Sequence, residues 1–190
     1  MINEFLSGHY SSLPHKGHRF LQNRTHIGKP LPRHSLNLPH SPAGSRIGLL
    51  GGSFDPPHSG HLHITNHAFK ALGLDQVWWL ASIGNPLKPN PPAPLRQRMQ
   101  AAEKLIRHPR VTVTDLEARL GATHTADTLR FLHRRFPETR FIWLMGGDNL
   151  PTLHHWSRWR QIINSIPICV FARPPKKVTA TISQATRKFA

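Results

Sequence analysis

Apolar runs alternate with helix-forming stretches along the chain from residue 46 to residue 172. Five short runs are rich in branched and aromatic residues, which is typical of strands buried on both faces of a sheet. They predict strands over 46–51, 75–82, 110–117, 139–146 and 166–172. The stretches between them carry apolar residues at every third or fourth position. They predict helices over 59–72, 94–108, 123–136 and 156–165.

This alternation predicts the fold class. Consecutive strands joined by helices form a parallel sheet, because each helix carries the chain back to the edge where the next strand starts. We therefore predict an α/β domain with a Rossmann-like, open and mostly parallel sheet and helices on both faces. In such sheets, ligands bind beyond the carboxyl ends of the strands, where the strand order reverses.

Residues 1–45 differ in composition from the rest of the chain. They are rich in His, Pro, Ser and Asn, and their spaced prolines break helices and central strands alike. We expect a disordered or loosely attached extension here, or a false start upstream of the true initiation site. The predicted domain then covers residues 46–190.

Charge and composition limit the possible partners and the cellular location only in part. The chain has 25 Lys and Arg against nine Asp and Glu, a formal net charge of +16, which favours polyanionic partners such as nucleic acid, anionic membranes or phosphorylated metabolites. No apolar run approaches the roughly 18 residues that span a bilayer, and no signal-peptide centre precedes residue 20, so we expect a cytoplasmic protein. The single cysteine, Cys169, excludes an intramolecular disulfide and is expected to be a small buried residue.

The loop after the first predicted strand concentrates residues suited to phosphate chemistry. It reads "GGSFDPPHSGH" from Gly51 to His61. The glycines let a ligand approach the backbone, and the following helix directs its positive end toward an anion. His58 and His61 are three residues apart, so both rings can face one ligand. The residues alone leave open an ordinary turn, a chance pair among 15 histidines, or a zinc site completed by His63 and His67.

Four segments in order carry a resemblance to a known family. They are "GLLGGSFDPPHSGHL", "GNPLK", "THTADTL" and "GGDNL" followed by a tryptophan. Together they resemble the nucleotidylyltransferase superfamily with the His-x-Gly-His motif and, more closely, the bacterial nicotinate-nucleotide adenylyltransferases, from about Arg46 to Pro174. The resemblance implies the nucleotidylyltransferase fold. It also implies transfer of the adenylyl group of ATP to nicotinate mononucleotide, with release of pyrophosphate, in NAD biosynthesis.

The resemblance further implies roles for individual residues. His58, His61 and Lys88 would be catalytic, and Mg²⁺ would arrive on the triphosphate, held largely by substrate oxygens. The implied ATP-binding residues are Gly51, Gly52, Ser53, Phe54, His58, His61 and Asp148. The implied residues for nicotinate mononucleotide are Lys88, Thr123, His124, Thr125 and Trp156.

Several of these residues have simpler explanations that the sequence leaves open. Lys88 suits an ordinary solvated loop, and Trp156 suits core packing rather than stacking on the pyridine ring. Thr123 to Thr125 suit a helix cap as well as a carboxylate site. His124 stands where the family usually has tyrosine.

The C-terminal end departs from the family pattern. Family members carry there a helix start similar to Ile-Ser-x-Thr-x-Ile-Arg, whose hydroxyls and arginine grip the ATP phosphates. The final segment, "TISQATRKFA", follows the last predicted strand too soon to match it, so Ser183, Thr186 and Arg187 receive no role. We expect a truncated chain with weakened ATP binding, or an unusual terminus that substitutes for the motif.

Other functions remain open at this point. The acceptor could be nicotinamide mononucleotide, phosphopantetheine or a cytidylyl acceptor, although Trp156 and "THTADTL" favour a pyridine ring with an anionic substituent. A fragment of an aminoacyl-tRNA synthetase would share the histidine motif, but the chain is too short for the usual tRNA-binding parts. An inactive remnant or a basic nucleic-acid-binding protein is also conceivable. The favoured partners are ATP and nicotinate mononucleotide, with no specific nucleic acid and no membrane.

Overall fold

Five parallel strands build the sheet of the computed structural model, which describes residues 38–84 and 91–172. Their bounds are Arg46–Gly52 for β1, Gln76–Ala81 for β2, Val111–Thr114 for β3, Arg140–Gly146 for β4 and Ile168–Phe171 for β5. The strands lie in the order β3-β2-β1-β4-β5, and every neighbouring pair is parallel. The predicted parallel sheet is confirmed.

Helices connect these strands. They are Ser59–Leu72 for α1, Leu95–Leu105 for α2, Leu116–Leu120 for α3, Thr125–Arg135 for α4 and Trp159–Ser165 for α5, with a 3-10 helix over Gly147–His155. The helix α1 ends, as predicted, at Gly73, whose φ of 56° is the left-handed conformation that glycine adopts readily. In the two described ranges, no helix is both long enough and apolar enough to cross a bilayer.

Two short helices differ from the predicted pattern. The prediction of a strand through residue 117 is wrong after Thr114, where the chain turns into α3 and buries Leu116 completely. A short apolar segment fits a strand or a buried helical turn equally well, so its pattern does not distinguish them. The 3-10 helix after β4 contains Pro151, and its sequence has too little apolar periodicity to predict it.

Helices cover both faces of the sheet. Alternate strand residues point to opposite sides, so each face has its own buried cluster. On one face, Leu49 of β1 shares a buried cluster with Leu129 of α4. On the other, Leu50 shares a cluster with Ile64 of α1 and Ala102 of α2. The predicted helices on both faces are therefore confirmed.

The segment just before β1 packs on the sheet domain. The Ser41 and Thr139 hydroxyls lie 2.7 Å apart, and the Gln76 side-chain amide donates to the His40 carbonyl at 3.0 Å. Ser45 is buried. Residues 40, 41 and 45, just before β1, therefore contact or lie buried against the sheet domain.

The chain reverses direction across the sheet between β1 and β4. It runs from β1 outward through β2 to β3 and then returns to the other side of β1 to form β4. The carboxyl ends of these two central strands therefore form the crevice where open parallel sheets bind ligands.

Candidate active site

A cavity of about 520 Å³ opens at the carboxyl ends of β1 and β4. Its lining comes from the loop after β1, the starts of α1 and α4, and the 3-10 helix with the residues that follow it. The structure brings together here the predicted site residues Gly51, Gly52, Ser53, Phe54, His58, His61, Thr123, His124, Thr125, Asp148 and Trp156. Lys88 lies outside the described residues. A second depression, of about 640 Å³, lies around Asp75 and Arg110 at the amino ends of the strands and is lined by none of the predicted site residues.

His58 and His61 are held together at the start of α1. The His58 ring nitrogen Nδ1 accepts a hydrogen bond from the Gly60 backbone amide at 3.2 Å. The His58 backbone amide in turn donates to Nδ1 of His61 at 3.1 Å. The two rings stack with their centroids 3.9 Å apart. His58 therefore caps the helix, and the pair forms one unit rather than two independent side chains.

The hydrogen-bond pattern assigns the tautomer of both rings. A nitrogen that accepts a hydrogen bond carries no proton, so each ring has its N–H at Nε2. A ring in this tautomer is a donor through Nε2, and phosphate oxygens accept hydrogen bonds. The hydrogen bonds to Nδ1 thus leave Nε2 as the donor nitrogen of both histidines, which line the cavity.

Buried aromatic rings pack against His61. Phe54 is 1% exposed, and its ring lies 4.8 Å from that of His61 and stacks at 4.8 Å on Trp79. The Trp79 indole nitrogen donates to the Thr65 hydroxyl, which donates to the His61 carbonyl, both at 2.9 Å. Ring and backbone of His61 are therefore both fixed by buried groups.

Gly51 has a packing reason that the sequence did not indicate. A Cβ atom at this position would lie 2.5 Å from Cη2 of Trp143. Trp143, on β4, is 2% exposed and occupies the space beside the β1 backbone. The absence of a side chain at Gly51 therefore admits the indole of the neighbouring strand, and the same bare backbone lines the cavity.

The opposite side of the cavity is formed by the start of α4. His124 is the N-cap residue, with an extended backbone, and its side chain makes no capping hydrogen bond. The capping role that the sequence left open is thus not filled by the His124 side chain. The first turn of α4 presents backbone amides and the positive end of the helix dipole, which suits an anion.

Trp156 follows the 3-10 helix and is half-buried at the cavity. Its ring meets that of Trp143 edge to face, with centroids 6.0 Å apart and an interplanar angle of 86°. Trp156 thus packs on the core and also contributes to the cavity wall. Core packing and ligand stacking do not exclude each other at this position.

Comparison with known proteins agrees with this geometry. The cytidylyltransferase-like family model matches residues 49–189. A relative from Cereibacter sphaeroides, "Probable nicotinate-nucleotide adenylyltransferase", is 59% identical over 144 residues, which are 76% of this chain and 76% of the relative. A relative of the same name from Ruegeria pomeroyi is 56% identical over 153 residues, 80% of this chain and 72% of the relative. The chain belongs to the nicotinate-nucleotide adenylyltransferase family.

A solved structure supports the fold of this family member. The nicotinic acid mononucleotide adenylyltransferase of Plasmodium falciparum, in complex with NaAD, superposes with a TM-score of 0.57 at 16% identity. The match covers 70% of this chain and 77% of the other. The resemblance drawn from the four sequence segments is confirmed, and so is the fold that it implied.

Two charged residues near the cavity of this adenylyltransferase-family chain were missed from the sequence. Glu117, on α3, lines the cavity and is 8% exposed, and burial raises the pKa of its carboxyl to about 7. Arg98, on α2, is 2% exposed and binds backbone carbonyls around the loop after β1. Both residues had a signal in the sequence. Glu117 is a charged residue within a predicted apolar strand, and Arg98 is a charged residue on the apolar face of a predicted helix.

Proposed function

We propose that this chain transfers the adenylyl group of ATP to nicotinate mononucleotide, which gives nicotinate adenine dinucleotide and pyrophosphate. One observation carries the proposal: the histidine pair at the start of α1 and the start of α4 with Trp156 line the same cavity at the reversal point of the sheet. Two anion-binding helix ends and an aromatic wall suit two phosphorylated substrates that must meet. The names of the relatives at 56–59% identity support the choice of substrates.

The β1 side is proposed to hold ATP. Backbone groups from Gly51 to Phe54 approach the nucleotide, while Nε2 of His58 and of His61 donate to the phosphate oxygens. A phosphate oxygen of the mononucleotide attacks the α-phosphorus in line, and the bond from the α-phosphorus to the leaving pyrophosphate breaks. Negative charge grows on the pyrophosphate, and donors fixed by the helix cap stabilise it without rearranging.

The α4 side is proposed to hold the mononucleotide. Thr123, His124 and Thr125 offer hydroxyls and backbone amides to the nicotinate carboxylate, and Trp156 stacks on the pyridine ring. Asp148, at the start of the 3-10 helix, would face a ribose. Holding both substrates in one geometry supplies much of the catalysis, because the transfer requires no covalent enzyme intermediate.

Mg²⁺ is proposed to enter with the triphosphate. Within residues 38–84 and 91–172, no three His, Cys, Asp or Glu side chains gather in a group that could hold a metal ion. A hard cation that takes its ligands mainly from phosphate oxygens and water fits such a cavity. Bound there, it would neutralise charge on the phosphates, and Lys88 is proposed to add a further positive charge. The proposed location of the reaction is the cytoplasm.

The test is a product assay on the full chain. Purified protein with ATP, nicotinate mononucleotide and Mg²⁺ should release pyrophosphate and form the dinucleotide, both detected by chromatography. A parallel reaction with nicotinamide mononucleotide should be slower, because its neutral amide gains less from the positive end of α4. Absence of dinucleotide with the acid substrate would overturn the proposed function, and a preference for the amide would overturn the proposed acceptor.

A further inference from the structure

Arg98 makes an unusual set of contacts beside the cavity. Its side chain enters from α2 and is 2% exposed. The guanidinium donates to the carbonyls of Ser82 at 2.9 Å, Ile83 at 3.4 Å and Ala93 at 2.6 Å, and also to the carbonyl of Ser53. One buried side chain therefore joins the loop after β1, the residues after β2 and the residues before α2.

A buried cation at this place has no simple packing explanation. Burial lowers the pKa of Arg98, although the charge of Asp55 acts in the opposite direction. Asp55 instead accepts a hydrogen bond from the Ala93 backbone amide at 2.9 Å. An apolar side chain would fill the contact between a helix and a sheet without this desolvation cost. Departures from local rules of this kind concentrate at functional sites.

The contact with Ser53 fixes the direction of a peptide in the cavity wall. The Ser53–Phe54 peptide is trans, so its carbonyl and its N–H point to opposite sides. Arg98 holds the carbonyl, and the Phe54 amide therefore points away from the guanidinium. Phe54 has a φ of 48°, in the left-handed region that non-glycine residues rarely adopt. A carbonyl oxygen turned toward a polyphosphate would repel it, whereas an N–H attracts it.

We propose that Arg98 is a positioning residue for adenylyl transfer: it holds the Ser53 carbonyl away from the phosphates and fixes the loop after β1 against the residues that flank β2 and α2. It acts through these backbone groups and does not touch the substrate. The expected effect of Arg98 on the reaction rate rests on the proposed function, while its effect on the loop after β1 does not.

The first test is kinetic and uses R98K. Lysine keeps the charge but lacks the planar fork that reaches carbonyls in three segments at once. We expect kcat/KM for ATP to fall by about 10- to 100-fold, because a small displacement of reacting groups costs this much. The KM for nicotinate mononucleotide should not change. R110K is the matched control, because it makes the same change at Arg110, which donates to the Leu74 carbonyl at 3.0 Å at the other end of the sheet.

The second test does not need activity. Amide hydrogen exchange of the ligand-free protein should be faster across residues 51–54 in R98K than in the wild type, and unchanged there in R110K. Equal exchange and equal kcat/KM in R98K would overturn the proposal, and so would failure of R98K to fold, because Arg98 would then serve stability alone. If the wild type forms no dinucleotide, the proposed function fails, and the exchange result still decides the role of Arg98.

Discussion

At the scale of single residues, His58 combines a structural and a chemical role that substitutions can separate. Its Nδ1 caps α1, and its Nε2 is the proposed donor to phosphate. Asparagine is a good N-cap residue but has no group at the position of Nε2. The variant H58N should therefore keep the stability of the protein and lose the donor, while H58A should lose both.

We expect H58A to lose about 1 kcal/mol of unfolding free energy, the usual cost of a missing N-cap, and H58N to stay close to the wild type. Both variants should lose on the order of 10²-fold in kcat, as when a preorganised donor is removed. Urea unfolding and initial rates of pyrophosphate release measure the two effects. Wild-type turnover in H58N would show that the histidine matters only as a cap.

Glu117 predicts a dependence of stability on pH. Its carboxyl has a pKa of about 7 in the folded protein, against an ordinary value of 4.5, because burial disfavours the charged form. The folded state thus binds the proton more tightly. The stability from the neutral carboxyl is fully present below about pH 4.5 and is lost as the pH rises through about 7. The size of the loss is on the order of 3 kcal/mol.

Replacement by glutamine should remove this dependence, because the amide does not titrate. Urea unfolding of the wild type and E117Q at pH 5 and pH 8 should show a larger decrease in the wild type. E103Q is the control, since Glu103 lies exposed on α2. Parallel decreases in the wild type and E117Q would mean that Glu117 has an ordinary pKa and gains solvent or a partner in solution.

At the scale of elements, an ion pair ties α4 to the start of α5. Asp127 pairs with Arg158, and it also pairs with Arg130 at 3.0 Å. Asp127 follows Thr125 by two residues, and Arg158 follows Trp156 by two. Arg158 is the N-cap of α5, with a φ of 56°. The pair therefore fixes the two parts of the cavity wall that are proposed to hold the mononucleotide.

Breaking the Asp127–Arg158 ion pair should weaken the binding of nicotinate mononucleotide more than it slows the transfer step. The pair is partly exposed, so its worth is at most about 1 kcal/mol, which corresponds to about a fivefold change. D127N and R158Q should each raise the KM for nicotinate mononucleotide by up to about this factor, with the KM for ATP unchanged. R130Q removes only the contact within α4 and serves as the control. An equal rise in R130Q would place the effect in the helix rather than in the tie.

The elements and the site differ in how far the sequence could predict them. Long apolar runs such as β1 and β4 are typical of strands buried on both faces of a sheet, so the strands and their parallel direction were predictable, whereas their order in the sheet was not predicted. The five-residue helix α3 was not predictable, because an apolar residue such as Leu116 fits a buried strand as well as a buried helical turn. The motif residues around His58 were found through family resemblance, whereas Arg98 was not, since its partners come from three separate segments. Its charge on an apolar helix face was the only trace.

At the scale of the whole molecule, the net charge of +16 far exceeds what one nucleotide site requires. Charge of this size attracts any polyanion, and such binding weakens steeply with salt because counterions are released. It carries no sequence preference unless base edges are read. The basic side chains outside the cavity (the basic surface) and the cavity itself should therefore behave as independent binding sites.

We expect the protein to be retained on immobilised DNA at about 50 mM salt and released by about 200 mM, as is typical of contacts to several phosphates. H58A should elute at the same salt as the wild type, because the removed side chain lies at the cavity. Saturating DNA of arbitrary sequence should leave the KM for ATP unchanged at fixed ionic strength. If DNA instead competes with ATP, or if ATP elutes the wild type but not H58A, then the polyanion enters the cavity, and the basic surface belongs to the active site.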